Sequence, residues 1–75
     1  MPHVVVKLWP GRTEEQKKQL TKAITRDVSR IFDLDEGHIS IAFEEIDADE
    51  WDEKVYIPEI LGKAKNLYKK PSRMQ

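Results

Sequence analysis

Pro2-His3-Val4-Val5-Val6-Lys7-Leu8-Trp9-Pro10-Gly11-Arg12-Thr13-Glu14-Glu15-Gln16 is the stretch that decides how this chain folds. Residues 2 to 9 are rich in β-branched and apolar side chains, and Pro10-Gly11 is a strong turn signal, so the chain opens with a strand. Pro2 is tolerated there because the first strand residue need not donate to the ladder. Thr13-Glu14-Glu15-Gln16 fits a capping box, in which the threonine oxygen accepts from the third helical amide and the glutamine reaches back to the cap amide. Leu20, Ala23, Ile24, Val28, Ile31 and Phe32 then recur at helical spacing, while Lys17, Lys18, Lys22, Arg26 and Arg30 take other faces. Asp33-Leu34-Asp35-Glu36-Gly37 has no period and ends the helix.

From His38 to Ile46, Ile39, Ile41 and Phe43 alternate with Ser40, Ala42 and Glu44, the period of a second strand. Strand, helix, strand with a helix long enough to cross over predicts a right-handed βαβ unit with parallel strands, an α/β chain built as a two-layer α+β fold. Asp47 to Ile57 is acidic and interrupted, with a single helical turn expected at Asp49-Glu50-Trp51-Asp52-Glu53. From Pro58, Ile60, Leu61, Ala64, Leu67 and Tyr68 predict a C-terminal helix that ends before Pro71, weakened by Gly62 by ~1 kcal/mol relative to alanine.

The chain is read as a single domain, residues 1–75, with no internal repeat or linker. A chain this short buries only about 60% of its unfolded surface. It has no cysteine and nothing resembling a structural zinc site, so neither disulfides nor metal staples it. Two strands also make a poor sheet alone, and pairing with a second copy would extend the sheet and cover apolar surface. Self-association is therefore expected.

Lysine and arginine total 13 against 14 for aspartate and glutamate, so there is no long-range field for collecting polyanions, and nucleic acid is not expected as a partner. The basic run Lys69-Lys70-Pro71-Ser72-Arg73 reads as a solvated tail. The opening residues show neither a charged leader nor a long apolar segment, which predicts a cytoplasmic protein without a membrane partner. No glycine-rich phosphate loop or thiol is present, and no cofactor is expected. His3 and His38 each stand at a strand start and read as surface or edge residues.

Pro2 is the exception to this lack of catalytic signals. Removal of Met1 would leave its nitrogen as a free secondary amine, able to act as a base. If Met1 is retained, that nitrogen is a tertiary amide with no proton to exchange.

The start Met1-Pro2-His3 followed by a β run, then Gly11-Arg12-Thr13-Glu14-Glu15-Gln16-Lys17 opening an amphipathic helix, resembles the 4-oxalocrotonate tautomerase family. Ile39-Ser40-Ile41-Ala42-Phe43-Glu44-Glu45-Ile46 and the later aromatic Trp51 fall at the family's spacing, so the resemblance covers about residues 2 to 51. The expected C-terminal helix resembles the short bacterial branch whose members form dimers; the glycine-rich hairpin of the hexameric members is absent. The resemblance implies two βαβ protomers sharing one sheet, with active sites near the sheet edges, and a keto-enol tautomerase in which Pro2 is general base and acid.

Such an amine must work near neutral pH, whereas a free α-amino group titrates near ~8 and a secondary amine higher. Desolvation and a nearby cation both lower it. With the resemblance, Arg12 becomes the cation and the bidentate clamp for a substrate carboxylate, and Trp51 an aromatic wall that excludes water. Each has a plainer reading: Arg12 as an exposed residue beside a helix start, Trp51 as core packing or a subunit contact.

Ser40 stands where the best-known family members carry a second, carbonyl-polarising arginine. It offers either a weaker hydrogen bond or a small strand residue facing water. Lys7 on the first strand and Arg73 on the tail are other basic residues that could supply the missing charge, and no motif puts either in a pocket. One cation suits a small 2-oxo acid with a single carboxylate, of the phenylenolpyruvate kind. The same departure leaves open a noncatalytic interaction module on the tautomerase fold.

Overall fold

Strand β1 (His3–Leu8) and strand β2 (Ser40–Glu45) pair in parallel in the computed structural model, which describes residues 1–74. The register runs from His3 opposite Ser40 to Leu8 opposite Glu45. Two further bonds extend the ladder, Ser40 N–H to the Pro2 carbonyl at 3.2 Å and Ile46 N–H to the Leu8 carbonyl at 2.9 Å. Alternation along the strands sends Val4, Val6, Leu8, Ile41, Phe43 and Glu45 to one face and His3, Val5, Lys7, Ser40, Ala42 and Glu44 to the other.

Helix α1 (Glu14–Phe32) crosses between the strands and takes the first face. The expected capping box is formed: Thr13 Oγ1 accepts from Gln16 N–H at 3.0 Å, and the Gln16 side chain accepts from Thr13 N–H at 2.9 Å. Leu20 and Gln16 line a cavity with Leu8 and Phe43, and Lys17 turns inward to pair with Glu45 at 3.0 Å. Asp33 ends the helix in the left-handed region, φ 55°, which short polar side chains tolerate better than most. There the Ser29 carbonyl accepts from both the Asp33 and Leu34 amides.

β2 starts later than the alternation from His38 suggests. The His38 and Ile39 amides close a 3₁₀ turn, Glu36–His38, by donating to the Asp35 and Glu36 carbonyls at 3.0 and 3.1 Å, so neither is available to the sheet.

The C-terminal region departs most from the expected helix beginning at Pro58. A 3₁₀ turn, Ala48–Glu50, leads through Trp51 into a π-helix, Asp52–Leu61, that contains Pro58. A prolyl ring collides with the carbonyl four residues back in an α-helix. The wider π coil, with bonds from residue i to i−5, accommodates the ring and leaves only the missing Pro58 donor. The coil stops at Gly62, whose amide donates to the Ile57 carbonyl at 2.9 Å. Gly62 thus ends this helix rather than weakening its interior. Beyond it Ala64–Asn66 is a 3₁₀ turn, Leu67 is extended and Tyr68 is fully exposed, so the expected stripe has no continuous helix beneath it.

Gly62 is required by close approach. A Cβ added there would lie 2.5 Å from the Pro58 carbonyl oxygen and 3.1 Å from that of Ile57, both backbone atoms. Gly62→Ala should therefore destabilise the protein by about 1–3 kcal/mol, measured as a lowered denaturation midpoint, despite alanine's better helix propensity.

Val55 and Tyr56, on the π-helix, are the only buried residues among those described. Trp9, Ile31, Phe32 and Ile57 each remain more than half exposed. The apolar stripe of α1 is therefore covered only in part, at Ala23, Ile24 and Val28, and Ile31 and Phe32 at its C-terminal end remain largely exposed.

Candidate active site

The candidate residues fall at the two ends of the strand pair. Pro2 and Ser40 meet at the N-terminal end, joined by the 3.2 Å bond from the Ser40 amide to the Pro2 carbonyl. This contact follows from the parallel register, which sets His3 beside Ser40. His3 Nδ1 lies 2.6 Å from Ser40 Oγ, and His38 Nδ1 lies 3.2 Å from Met1 Sδ. Pro2 is half-buried, while both histidines and Ser40 are exposed. Neither histidine stands out in the sequence, because their neighbours there come from 37 residues away.

Arg12 and Trp51 lie at the opposite, C-terminal end. Arg12 follows the Pro10-Gly11 turn, in which Gly11 takes φ 123°, a conformation that L side chains rarely adopt. It borders a cavity of about 230 Å³ with Leu8, Gln16, Lys17, Leu20 and Phe43. No carboxylate lies within 4.0 Å of its guanidinium among the described residues. Trp51 is half-buried and packs edge-on against Trp9, with ring centroids 6.4 Å apart and planes at 81°. Trp9 is thus a second aromatic at this end, masked in the sequence by its place at the end of the strand pattern. A strand of six residues spans about 20 Å, which keeps Pro2 and Arg12 of one protomer apart.

The other basic residues are engaged elsewhere. Lys7 is held between Glu59, on the π-helix, and Glu44, 3.7 Å away. Its hydrogen bond to Glu59 outweighs the loss of hydration and raises the ammonium above the usual lysine value, so Lys7 is a fixed cation and not a base at neutral pH. Arg73 donates to Asp52 at 2.9 Å and lies 3.4 Å from the Tyr56 ring centroid. It binds the tail to the π-helix and lowers the Asp52 carboxyl below the usual value, chiefly by that hydrogen bond. Neither supplies the charge absent at Ser40. Asp47, Asp49 and Glu50 bring carboxylate oxygens within 4.8 Å of one another just before Trp51, an arrangement common in exposed acidic turns.

The strand, crossover helix and parallel strand that carry both ends form the β-α-β fold of the small tautomerases. Sequence comparison agrees: the family model described as Tautomerase enzyme matches residues 2–52, and the chain belongs to that family. The Tautomerase PptA of Pectobacterium carotovorum is 36% identical over 72 residues, 95% of each chain. A Xylella fastidiosa protein named "Probable tautomerase" is 31% identical over 71 residues, 95% of this chain and 87% of its own length. A Bacillus cereus protein of the same name is 46% identical over 46 residues, 61% of this chain and 75% of its own. The family function is that of an isomerase, which moves a proton and a double bond within one molecule. Among the described residues no helix is long and apolar enough to cross a membrane.

Proposed function

We propose that residues 1–75 act as one domain that interconverts the enol and keto forms of a small 2-oxo acid of the phenylenolpyruvate type, using Pro2 as base and acid once Met1 is removed. The observation that carries the substrate class is the Arg12 guanidinium, without a carboxylate partner among the described residues, beside a cavity with Leu8, Leu20 and Phe43 in its wall. Lys17 also borders the cavity but is paired with Glu45 and Glu14, which leaves Arg12 for one carboxylate and the apolar walls for an apolar tail. The bare Pro2 nitrogen takes the enol O–H proton, and the electron pair left on oxygen forms the C=O bond. The C=C pair then takes the proton back from the prolinium at the neighbouring carbon, so nothing is consumed.

Pro2 and Arg12 lie too far apart in one protomer to hold the same small molecule. The proposed reaction therefore takes place in a homodimer, where Pro2 of one copy faces Arg12 and Trp51 of the other. Antiparallel pairing of two copies at a sheet edge brings an N-terminal end beside a C-terminal end, and it covers the apolar side chains left bare in the protomer. Arg12 then lowers the pKa of the Pro2 amine as well as binding the carboxylate. The setting is taken to be the cytoplasm.

Intact mass of the purified protein, followed by ultraviolet observation of phenylenolpyruvate ketonisation, tests the proposal. Loss of Met1 with catalysed ketonisation is the expected result. A protein that lacks Met1 and leaves the spontaneous rate unchanged overturns it. A native protein that keeps Met1 is instead a noncatalytic member of the fold.

A further inference from the structure

His3 and Ser40 are partners in the parallel register, and both side chains leave the sheet on the face away from α1. Their side chains are joined at 2.6 Å, and the Ser40 amide is joined to the Pro2 carbonyl at 3.2 Å. The serine therefore stands one strand spacing, about 4.8 Å, from the strand that carries the amine.

A contact between an imidazole nitrogen and a hydroxyl oxygen has two directions. When Nδ1 is bare, the hydroxyl donates to it and shows a bound substrate only lone pairs. When Nδ1 carries the proton, the ring donates to the hydroxyl oxygen, and the Ser40 O–H is free to donate elsewhere. Removal of the enol proton by Pro2 leaves charge on the substrate oxygen, and that oxygen needs a donor. A hydroxyl that itself accepts a hydrogen bond is a stronger donor than an isolated one, because linked hydrogen bonds polarise one another.

We propose that His3 is a positioning residue that donates from Nδ1 to Ser40 Oγ and so directs the serine hydroxyl proton to the substrate oxygen beside Pro2. The inference rests on the tautomerase reading above and deepens it: the pair takes the place of a second cation at the carbonyl end of a 2-oxo acid. It also explains why a serine suffices at this position when Lys7 and Arg73 are bound elsewhere.

The test compares Ser40→Ala, His3→Phe, His3→Asn and the Ser40→Ala/His3→Phe double variant in phenylenolpyruvate ketonisation, with Met1 absent by mass in each. The asparagine amide offers an N–H close to the place of Nδ1. Ser40→Ala and His3→Phe should each lower kcat by about tenfold to a hundredfold, at or below the usual cost of one oxyanion donor because the pair is exposed. KM should change by less than about threefold, since the hydrogen bond strengthens only as charge develops. The double variant should lose no more than either single one, and His3→Asn should recover most of the His3→Phe loss.

A His3→Phe protein with the wild-type kcat overturns the inference, as does His3→Asn no better than His3→Phe. A Ser40→Ala protein with the wild-type kcat overturns it as well. Wild-type activity that disappears in Pro2→Ala shows that the proposed reaction stands, so those results then count against the His3–Ser40 pair alone. Wild-type protein without activity overturns the reaction and the pair together.

Discussion

Pro2→Ala is expected to lower kcat for enol ketonisation by about tenfold to a hundredfold, a part of the 10²- to 10⁴-fold that a positioned general acid and base contributes. The substitution keeps an amine at the same place, so the loss isolates what the ring provides. The pyrrolidine ring fixes rotation about the N–Cα bond and with it the direction of the nitrogen lone pair. Alanine allows the nitrogen to turn and gives it an ordinary α-amino group. The fold should be undisturbed, because Pro2 takes part in the sheet through its carbonyl, which accepts from the Ser40 amide, and alanine keeps that carbonyl. Initial rates at saturating phenylenolpyruvate, with intact mass recorded for both proteins, measure the effect. An alanine variant as fast as the wild type removes the proline from the mechanism. Wild-type protein with Met1 still attached should show a loss at least as large, since its Pro2 nitrogen has neither a free lone pair nor a proton.

Mixing two crippled variants should restore activity. Arg12→Ala removes a charge-assisted, bidentate clamp, and kcat/KM should fall by about a hundredfold, the equivalent of roughly 3 kcal/mol. Pro2→Ala loses activity for the separate reason above. If each site takes Pro2 from one copy and Arg12 from the other, a heterodimer of the two variants contains one site with both defects and one with neither. Refolding equal amounts together should then yield about a quarter of the wild-type sites, by random pairing of copies in a two-fold dimer. The same rates measured on the separately refolded variants supply the baseline. A mixture no more active than the mean of its parts means that Pro2 and Arg12 serve the same site from one chain, contrary to their placement beyond opposite ends of β1, a strand about 20 Å long.

Much of the fold was legible because it depends on neighbours in sequence. The run from His3 to Leu8 is a strand by composition, Thr13 and Gln16 cap α1 as their spacing requires, and Ile41 and Phe43 keep the period of two. The C-terminal segment was not legible in the same way. Pro58 carries the usual mark of a helix start, yet it lies inside a π-helix held from outside: Glu59 is fixed by Lys7 on β1, and Asp52 and Tyr56 by Arg73 in the tail. Local propensity has no access to such contacts. Gly62 is opaque to sequence for a related reason, since its smallness answers to the Pro58 carbonyl and not to helix propensity.

The candidate site divides along the same line. Pro2, Arg12 and Trp51 were found by residue type and by resemblance, because an amine, a guanidinium and an indole have their chemistry wherever the chain carries them. His3 had no such mark. Its interest comes from a register that joins residues 37 positions apart.

The sequence by itself determined the strand-helix-strand order and the helix boundaries of α1 and named the candidate groups, all from periodicity, capping and side-chain chemistry over a few neighbouring residues and from resemblance. Only the tertiary structure decided that Pro2 and Ser40 share one end of the sheet while Arg12 and Trp51 occupy the other, that Lys7 and Arg73 are held away from the site, and that His3 bonds to Ser40. Those facts depend on strand register and on packing between distant segments, which arise only when the whole chain closes on itself.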